Sequence, residues 1–108
     1  FTHGDDRPHH IRAFDVVNGK TLTNSRIICE VSPHVPDGLR VDTDGNLYVA
    51  SGDGVQVFTP EGEMLGKFLT TEVAANCCFG MADRQTFFIC ATSSVWMVRL
   101  KSRGAYPF

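Results

Sequence analysis

A chain of 108 residues, 43% of them hydrophobic, has room for one small globular domain and no more. Its formal net charge of −2 argues against a surface that binds nucleic acid or an anionic membrane. Its apolar runs fall far short of the roughly 20 residues that a membrane helix needs. The first residues are polar and include no initiator Met, so we expect a chain that begins inside a larger gene product or after processing. Cytoplasmic and secreted locations both stay open.

Apolar and polar residues alternate along most of the chain, and no segment shows the period of a helix. Turn pairs such as Asn18-Gly19, Asp44-Gly45 and Asp53-Gly54 separate the alternating runs and supply the backbone geometry that tight connections need. The sequence therefore predicts an antiparallel, all-β fold. The predicted strands are His10–Val17, Arg26–Val31, Gly38–Asp42, Leu47–Ser51, Val55–Thr59, Leu65–Leu69, Asn76–Gly80, Thr86–Ala91 and Val95–Leu100.

An internal repeat organises these strands. The segments Asp42–Phe58 and Asp83–Val98 share one pattern, in which an acidic residue and a turn precede a strand, a second turn and a second strand. The spacing from Ala50 to Ala91 is 41 residues, which falls at the length of about 40–45 residues that is typical of a propeller blade. The repeat therefore predicts a β-propeller.

The predicted strands make up about two and a quarter blades. Residues 10–31 supply the outer strands of one blade, residues 36–70 one full blade, and residues 75–100 the inner three strands of the next. Residues 1–9 are predicted to form an exposed loop and residues 101–108 a tail. Propellers close on themselves with roughly 4–8 blades, and a repeat cannot bury its faces without neighbours. We therefore expect a fragment of a propeller, completed by another polypeptide segment that supplies the remaining blades.

Three segments carry a resemblance to a known family. They are RPHHIRAFDVVNGKTL, PDGLRVDTDGNLYVASGDGVQVFTPEGEMLGKF and ANCCFGMADRQTFFICAT. In this order and spacing they resemble the C-terminal portion of the SMP-30/gluconolactonase/luciferin-regenerating-enzyme-like proteins, and the fungal lactonohydrolase-like members most of all. The resemblance runs from about Arg7 to Leu100. It implies a six-bladed propeller with a divalent cation, commonly Ca²⁺, in the central channel.

The resemblance also implies a role for Asp37, which lies between Pro36 and Gly38 just before an inner strand. In this family the Asp of the PDG motif is a metal ligand and the carboxylate that activates water, which implies both roles for Asp37. Judged without the family, Pro-Asp-Gly is also a common turn. The other expected ligands are a Glu near the family's N-terminus and an Asn in a PNG motif, and neither motif occurs in these 108 residues. The partner segment is expected to supply them.

Two further residues are candidates for substrate binding. Asn76 opens the next inner strand, and its amide is expected to face the same channel as Asp37, the alternative being an Asx cap on the strand. His34 lies three residues before Asp37 in a loop bounded by prolines. It lines the substrate mouth in one interpretation and is a solvated loop histidine in the other.

The four cysteines and the large aromatic residues are expected to pack. The cysteines lie in apolar runs without a metal-binding spacing, which leaves two arrangements open. Either all four are buried free thiols, or Cys78 and Cys90 form a bridge between neighbouring strands. Phe58 and Trp96 are expected at equivalent strand positions, where they pack between blades.

The predicted function is the metal-dependent hydrolysis of a lactone or similar cyclic ester by a protein that is active only when its propeller is complete. Two alternatives stay open because a fold does not determine a chemistry. One keeps the metal and changes the reaction to isomerisation, condensation or cyclisation of a natural product. The other is a non-catalytic propeller that binds a ligand or a protein. Neither nucleic acid nor a membrane is expected as a partner.

Overall fold

The computed structural model describes residues 8–105, which form nine strands in antiparallel sheets. These residues include no helix that is long and apolar enough to cross a membrane. Residues 1–7 of the predicted loop and residues 106–108 of the predicted tail lie outside the described part of the chain. The strands are β1 (His10–Val17), β2 (Thr21–Glu30), β3 (Leu39–Val41), β4 (Leu47–Ser51), β5 (Gly54–Phe58), β6 (Met64–Leu69), β7 (Ala74–Gly80), β8 (Thr86–Ala91) and β9 (Val95–Arg99).

The strands form three sheets in chain order. The first sheet pairs β1 with β2, the second has the order β3-β4-β5-β6, and the third has the order β7-β8-β9. Strands that follow each other in the chain are therefore neighbours in each sheet, which is the simplest antiparallel connection. Among the described strands, β9 pairs only with β8. The number of blades in the complete protein stays a prediction.

The strand β2 is longer than the sequence predicts. It begins at Thr21 because the Asn18-Gly19 turn, with φ values of 54° and 66°, returns the chain directly along β1. The residues before Arg26 show no alternation because this part of the ribbon is exposed on both faces. The pairing here rests on the turn and on the bonds between the two strands instead of on a buried face. The ion pair of Arg26 with Asp15 (3.1 Å) is exposed and adds little.

The internal repeat is visible in the strand register. Ala50 lies opposite Val55 in the β4–β5 hairpin. Cys90 lies opposite Val95 in the β8–β9 hairpin, 40 residues further along in both strands. The two hairpins are therefore built on one register, and positions can be compared between them by this offset.

The predicted equivalence of Phe58 and Trp96 is wrong. The offset matches Phe58 with Val98, and it matches Trp96 with Gln56. Phe58 is buried in the contact between the first and second sheets, whereas Trp96 is 37% exposed and its indole Nε1 donates to the hydroxyl of Ser94 (2.9 Å). The common register of the two hairpins therefore separates these positions by two residues.

The main core lies between the second and third sheets. Phe87 is fully buried at its centre, and its ring centroid lies 5.1 Å from that of Tyr48, 5.7 Å from that of Phe68 and 4.9 Å from that of Phe79. Ring pairs at such distances stabilise a core beyond the area that they bury. The packing fixes β3 and β4 against β7, so the starts of β3 and β7 are held side by side. A smaller core between the first and second sheets contains Cys29, Val31, Val49 and Phe58.

A buried carboxylate organises the turn between β3 and β4. Asp42 accepts hydrogen bonds from the backbone of Asp44 (2.9 Å), from the backbone and side chain of Asn46 (3.0 and 3.1 Å) and from the hydroxyl of Tyr48 (3.0 Å). The strand therefore ends at Val41, one residue earlier than predicted. Through Tyr48, this turn is tied to the main core.

The segment after β9 returns to the second sheet. The backbone of Thr43 donates to the carbonyl of Arg103 (2.8 Å), and the backbone of Ala105 donates to the carbonyl of Val41 (2.9 Å). The described part of the predicted tail, residues 101–105, is therefore bonded to the end of β3.

Two sheet surfaces carry large exposed apolar side chains. On the third sheet, Val95 is 70% exposed and Met97 is 66% exposed. On the β1–β2 ribbon, Val16 is 65% exposed and Leu22 is 60% exposed. Exposed apolar surfaces of this kind are typical of places where another protein segment packs.

Candidate active site

Asp37, the predicted metal ligand, lies immediately before β3 in the second sheet. Its backbone N–H donates to the carbonyl of Ala50 (2.9 Å), and the Ala50 N–H donates to the carbonyl of Gly38 (2.8 Å). These bonds continue the contact of β3 with β4 as far as Asp37 and fix its backbone. The residue is exposed, and none of residues 8–105 donates a hydrogen bond to its carboxylate. The carboxylate is therefore available to a cation or a water molecule.

The structure brings Asn76 against this segment. The Gly38 N–H donates to the carbonyl of Ala75 (3.0 Å), and a Cβ atom on Gly38 would overlap Oδ1 of Asn76. Glycine at position 38 is therefore what lets β7 approach β3 so closely. The Oδ1 atom of Asn76 accepts a hydrogen bond from the Cys77 backbone (2.8 Å), which is a local cap. Its Nδ2 atom has no hydrogen-bond partner among the described residues and is available to a ligand.

A β-bulge sets the position of Asn76. The register of β7 shifts between Ala74 and Asn76, so the strand has one extra residue there. Compared across the hairpins, Asn76 corresponds to Gly38 of the second sheet and not to Asp37. Bulges often re-aim a side chain next to an active site. At this position β7 carries the amide side chain of Asn76, whereas the second sheet has Gly38, which has no side chain.

His34 lies over the turn between β4 and β5, at the same end of the second sheet as Asp37. It belongs to the β2–β3 loop, residues 31–38, and has a left-handed φ of 62°. The Gly52 N–H donates to the carbonyl of Pro33 (3.1 Å), and a Cβ atom on Gly52 would overlap the His34 ring. The imidazole is exposed and packs on this turn, which places it at the rim of the candidate site.

Asp37 and Asn76 carry the hard oxygen donors that Ca²⁺ prefers. Within residues 8–105, no group of three or more His, Cys, Asp or Glu side chains could hold a metal ion. Since Ca²⁺ takes roughly 6–8 oxygen ligands, the Asp37 carboxylate fits as one member of a ligand set that the described residues do not complete. The Oδ1 atom of Asn76 already accepts from the Cys77 backbone.

The four cysteines differ from the sequence-based expectations. All four are free thiols, so Cys78 and Cys90 form no bridge. The expectation that all four are buried is wrong, because Cys78 and Cys90 lie on the open face of the third sheet. Cys77 is buried, its thiol donates to the carbonyl of Tyr48 (3.5 Å), and burial raises its pKa to about 12. A thiol with this pKa is inert at neutral pH.

Sequence reasoning missed a polar network behind the β2–β3 loop. We call it the Gln56 network, and it consists of Ser51, Asp53, Gln56 and Lys67. Gln56 is fully buried, and Asp53 joins it to Lys67, whose Nζ lies 2.8 Å from Asp53 Oδ2. The sign of this network in the sequence is a single Gln in the otherwise apolar run Val55–Phe58.

The charge of Asp53 is expected to make stability depend on pH. Burial raises the pKa of Asp53, but the hydrogen bonds from Lys67, Gln56 and Ser51 together lower it below its ordinary value of 3.8. Because the folded state has the lower pKa, the stabilisation is present above the ordinary value and is lost as the pH falls through the folded value. We expect Asp53→Asn to lower the free energy of unfolding by about 1 kcal/mol at about pH 7 and by much less at about pH 2.

Urea unfolding of both proteins across this pH range measures the difference. Asp44→Asn, which changes an exposed carboxylate in the β3–β4 turn, is the matched control. An Asp53→Asn loss of equal size at both ends of the range would contradict the prediction.

Sequentially connected antiparallel sheets of this kind are typical of β-propellers, and propeller proteins are the structural neighbours of this chain. The chain belongs to the SMP-30/Gluconolactonase/LRE-like family, whose model matches residues 1–93. The resemblance carried by the three sequence segments is thereby confirmed.

Several of the matched relatives have names that refer to lactones. The chain is 40% identical over 72 residues to a gluconolactonase of Zymomonas mobilis, which covers 65% of this chain and 20% of that protein. It is 33% identical over 97 residues to lactonohydrolase oryL of Aspergillus oryzae, which covers 89% of this chain and 22% of that protein. A gluconolactonase structure from Xanthomonas campestris matches with a TM-score of 0.78 and 38% identity over 84% of this chain and 30% of its own. The chain thus spans about a fifth to a third of these relatives.

Proposed function

We propose that this chain is part of a metal-dependent hydrolase of lactones or similar cyclic esters, active once another polypeptide segment supplies the remaining blades. One observation carries the proposal. The available Asp37 carboxylate precedes Gly38, which packs against Asn76 of β7, in a family whose matched relatives include gluconolactonases and lactonohydrolases.

The residues of this chain have distinct roles in the proposed reaction. A bound divalent cation, Ca²⁺ in this proposal, supplies the positive charge that polarises the lactone carbonyl. Asp37 holds the cation and accepts a proton from the attacking water. Asn76 orients the substrate by donating from Nδ2 to one of its oxygens. His34, at the rim, contacts the part of the substrate that projects from the site.

Completion by another segment is supported by the sheets themselves. The third sheet has three strands where the second has four, and the outer edge of β9 is open among the described strands. Val95 and Met97 leave one face of the third sheet exposed. The chain spans only 20% of the Zymomonas gluconolactonase, so most of the length of such a protein lies outside these residues. We place the remaining oxygen ligands of the cation on the same segment.

Native mass spectrometry, with metal analysis of the same sample, tests completion and metal binding together. We expect the chain to occur with a larger polypeptide, or within one, and to carry a divalent cation. A lone, metal-free monomer of these residues that stays soluble would contradict both parts of the proposal.

Lactone hydrolysis by the completed protein tests the reaction. In a weakly buffered solution with a pH indicator, we expect acid release from small lactones to fall at least about 100-fold on chelation and to return when Ca²⁺ is added. A linear ester of the same acid is the control for unspecific hydrolysis. Ligand binding without ring opening would favour the non-catalytic propeller. A product of unchanged mass would favour an isomerase.

A further inference from the structure

A polar residue is buried in β5 where the repeat does not require one. Gln56 is 0% exposed, and the corresponding residue of the third sheet is Trp96. The Oε1 atom of Gln56 has no hydrogen-bond partner among residues 8–105. Leaving a buried acceptor unpaired destabilises the folded state. Packing alone would therefore favour an apolar residue at this position.

The other end of the Gln56 side chain accounts for its presence. Its Nε2 atom donates to the carbonyl of Ser32 (2.7 Å) and to the pair formed by the hydroxyl of Ser51 and Oδ1 of Asp53 (both 3.1 Å), so its two hydrogens serve three acceptors. Ser32 belongs to the β2–β3 loop, which carries His34, whereas Ser51 and Asp53 flank the β4–β5 turn. Gln56 therefore fastens the loop to the turn.

Backbone bonds fasten the same loop to the same hairpin. The Gly52 N–H donates to the carbonyl of Pro33 (3.1 Å), and the Asp37 N–H donates to the carbonyl of Ala50 (2.9 Å). The loop is thus held at its beginning by Gln56, in its middle by Gly52 and at its end by Ala50. Of these three attachments, only the first depends on a side chain.

The third sheet fastens its own loop with a different residue. Glu72, in the β6–β7 loop (residues 70–73), accepts hydrogen bonds from the backbone and hydroxyl of Ser93 (3.1 and 2.6 Å) and from the hydroxyl of Ser94 (2.8 Å). Those serines lie in the β8–β9 turn, and the β6–β7 loop leads to Asn76. Each loop that leads to a candidate site residue is therefore tied to the hairpin turn of its own sheet.

We propose that Gln56 is a positioning residue of the active site, which holds the β2–β3 loop and thereby sets the Asp37 carboxylate and the His34 imidazole. The catalytic consequence rests on the proposed function, whereas the effect on the loop does not. A displacement of about 1 Å at a catalytic group can cost about 100-fold in rate. Loss of the Ser32 attachment therefore lowers turnover although Gln56 does not contact the substrate.

Gln56→Met tests this in the completed protein, because Met has a similar length and cannot donate. We expect amide hydrogen exchange at Gly52 to accelerate about 10-fold, while the amides of β8 and β9 keep their rates. We expect kcat for lactone hydrolysis to fall about 10- to 100-fold, and Ca²⁺ affinity, measured by calorimetry, to fall with it.

Glu72→Gln is the matched control, since it weakens the other loop and should leave exchange at Gly52 unchanged. Gln56→Leu serves if the Met variant does not assemble. Unchanged Gly52 exchange overturns the proposal. A second result would also overturn the proposal: exchange that is faster throughout the second sheet, together with a lower Tm and an unchanged kcat per assembled molecule. That result would show that Gln56 has only a structural role. If the unmodified protein has no turnover, the hydrolase proposal fails while the Gly52 measurement still decides the positioning role.

Discussion

Asp37→Asn is expected to lower kcat/KM for lactone hydrolysis by about 1,000-fold, because in the proposed reaction it removes the carboxylate that activates water and holds the cation. Asn has the same shape, and the backbone bonds of Asp37 and Gly38 with Ala50 do not involve the side chain. No described residue donates to the carboxylate, so the substitution leaves no buried donor unpaired. The free energy of unfolding is therefore expected to change by less than about 0.5 kcal/mol.

Steady-state kinetics with lactones and calorimetric Ca²⁺ binding, both on the completed protein, measure the two proposed roles of Asp37. Asp44→Asn makes the same chemical change on the exposed β3–β4 turn and should leave both quantities unchanged. Normal turnover in the Asp37 variant would exclude both roles. Lost turnover with normal Ca²⁺ affinity would leave only the role as a base.

Asp42→Ala is expected to lower the free energy of unfolding by about 3 kcal/mol. The buried carboxylate of Asp42 accepts four hydrogen bonds, and its removal leaves donors of Asp44, Asn46 and Tyr48 without an acceptor. The cost is limited because water can enter once the turn loosens. Activity should fall only as far as the folded fraction falls, since Asp42 is not part of the candidate site.

Two smaller substitutions calibrate this prediction. Tyr48→Phe removes one of the four donors and keeps the ring against Phe79, at 5.0 Å between centroids, so we expect a loss of about 1 kcal/mol. Asp44→Ala, in the same turn but exposed, should cost less than about 0.5 kcal/mol. Urea unfolding followed by circular dichroism gives all three values. Equal losses for the Asp42 and Asp44 variants would show that the buried carboxylate is not the cause.

Short-range signals made most of the strands predictable. Apolar alternation marks a strand with one buried face, and glycine or asparagine marks the turn that ends it. The segment Thr21–Ser25 was not predicted as part of a strand because it is exposed on both faces and therefore shows no alternation. The end of β3 was predicted one residue too late, because Asp42 accepts hydrogen bonds from the side chains of Asn46 and Tyr48 and belongs to the turn.

Long-range contacts were not predictable in this way. Gln56 and Ser32 are 24 residues apart, and nothing near either residue indicates the other. The mismatch of Trp96 with Phe58 is different, because the spacing of 40 residues from Val55 to Val95 already matches Phe58 with Val98. Asp37 was assigned from the family resemblance. Its closeness to Asn76 depends on the packing of Gly38 against β7, which a single sequence does not show.

The hydrogen bonds at the two ends of β3 leave little of its edge free for pairing with another strand. An open strand edge is a template on which another chain can add a strand. β3 is only three residues long, and its ends are bonded to Ala75 through Gly38 and to Ala105 through Val41. Little free main chain is left there for a foreign strand. Among the described strands, the edge of β9 is the place for an added strand, because β6 occupies the equivalent fourth position in the second sheet.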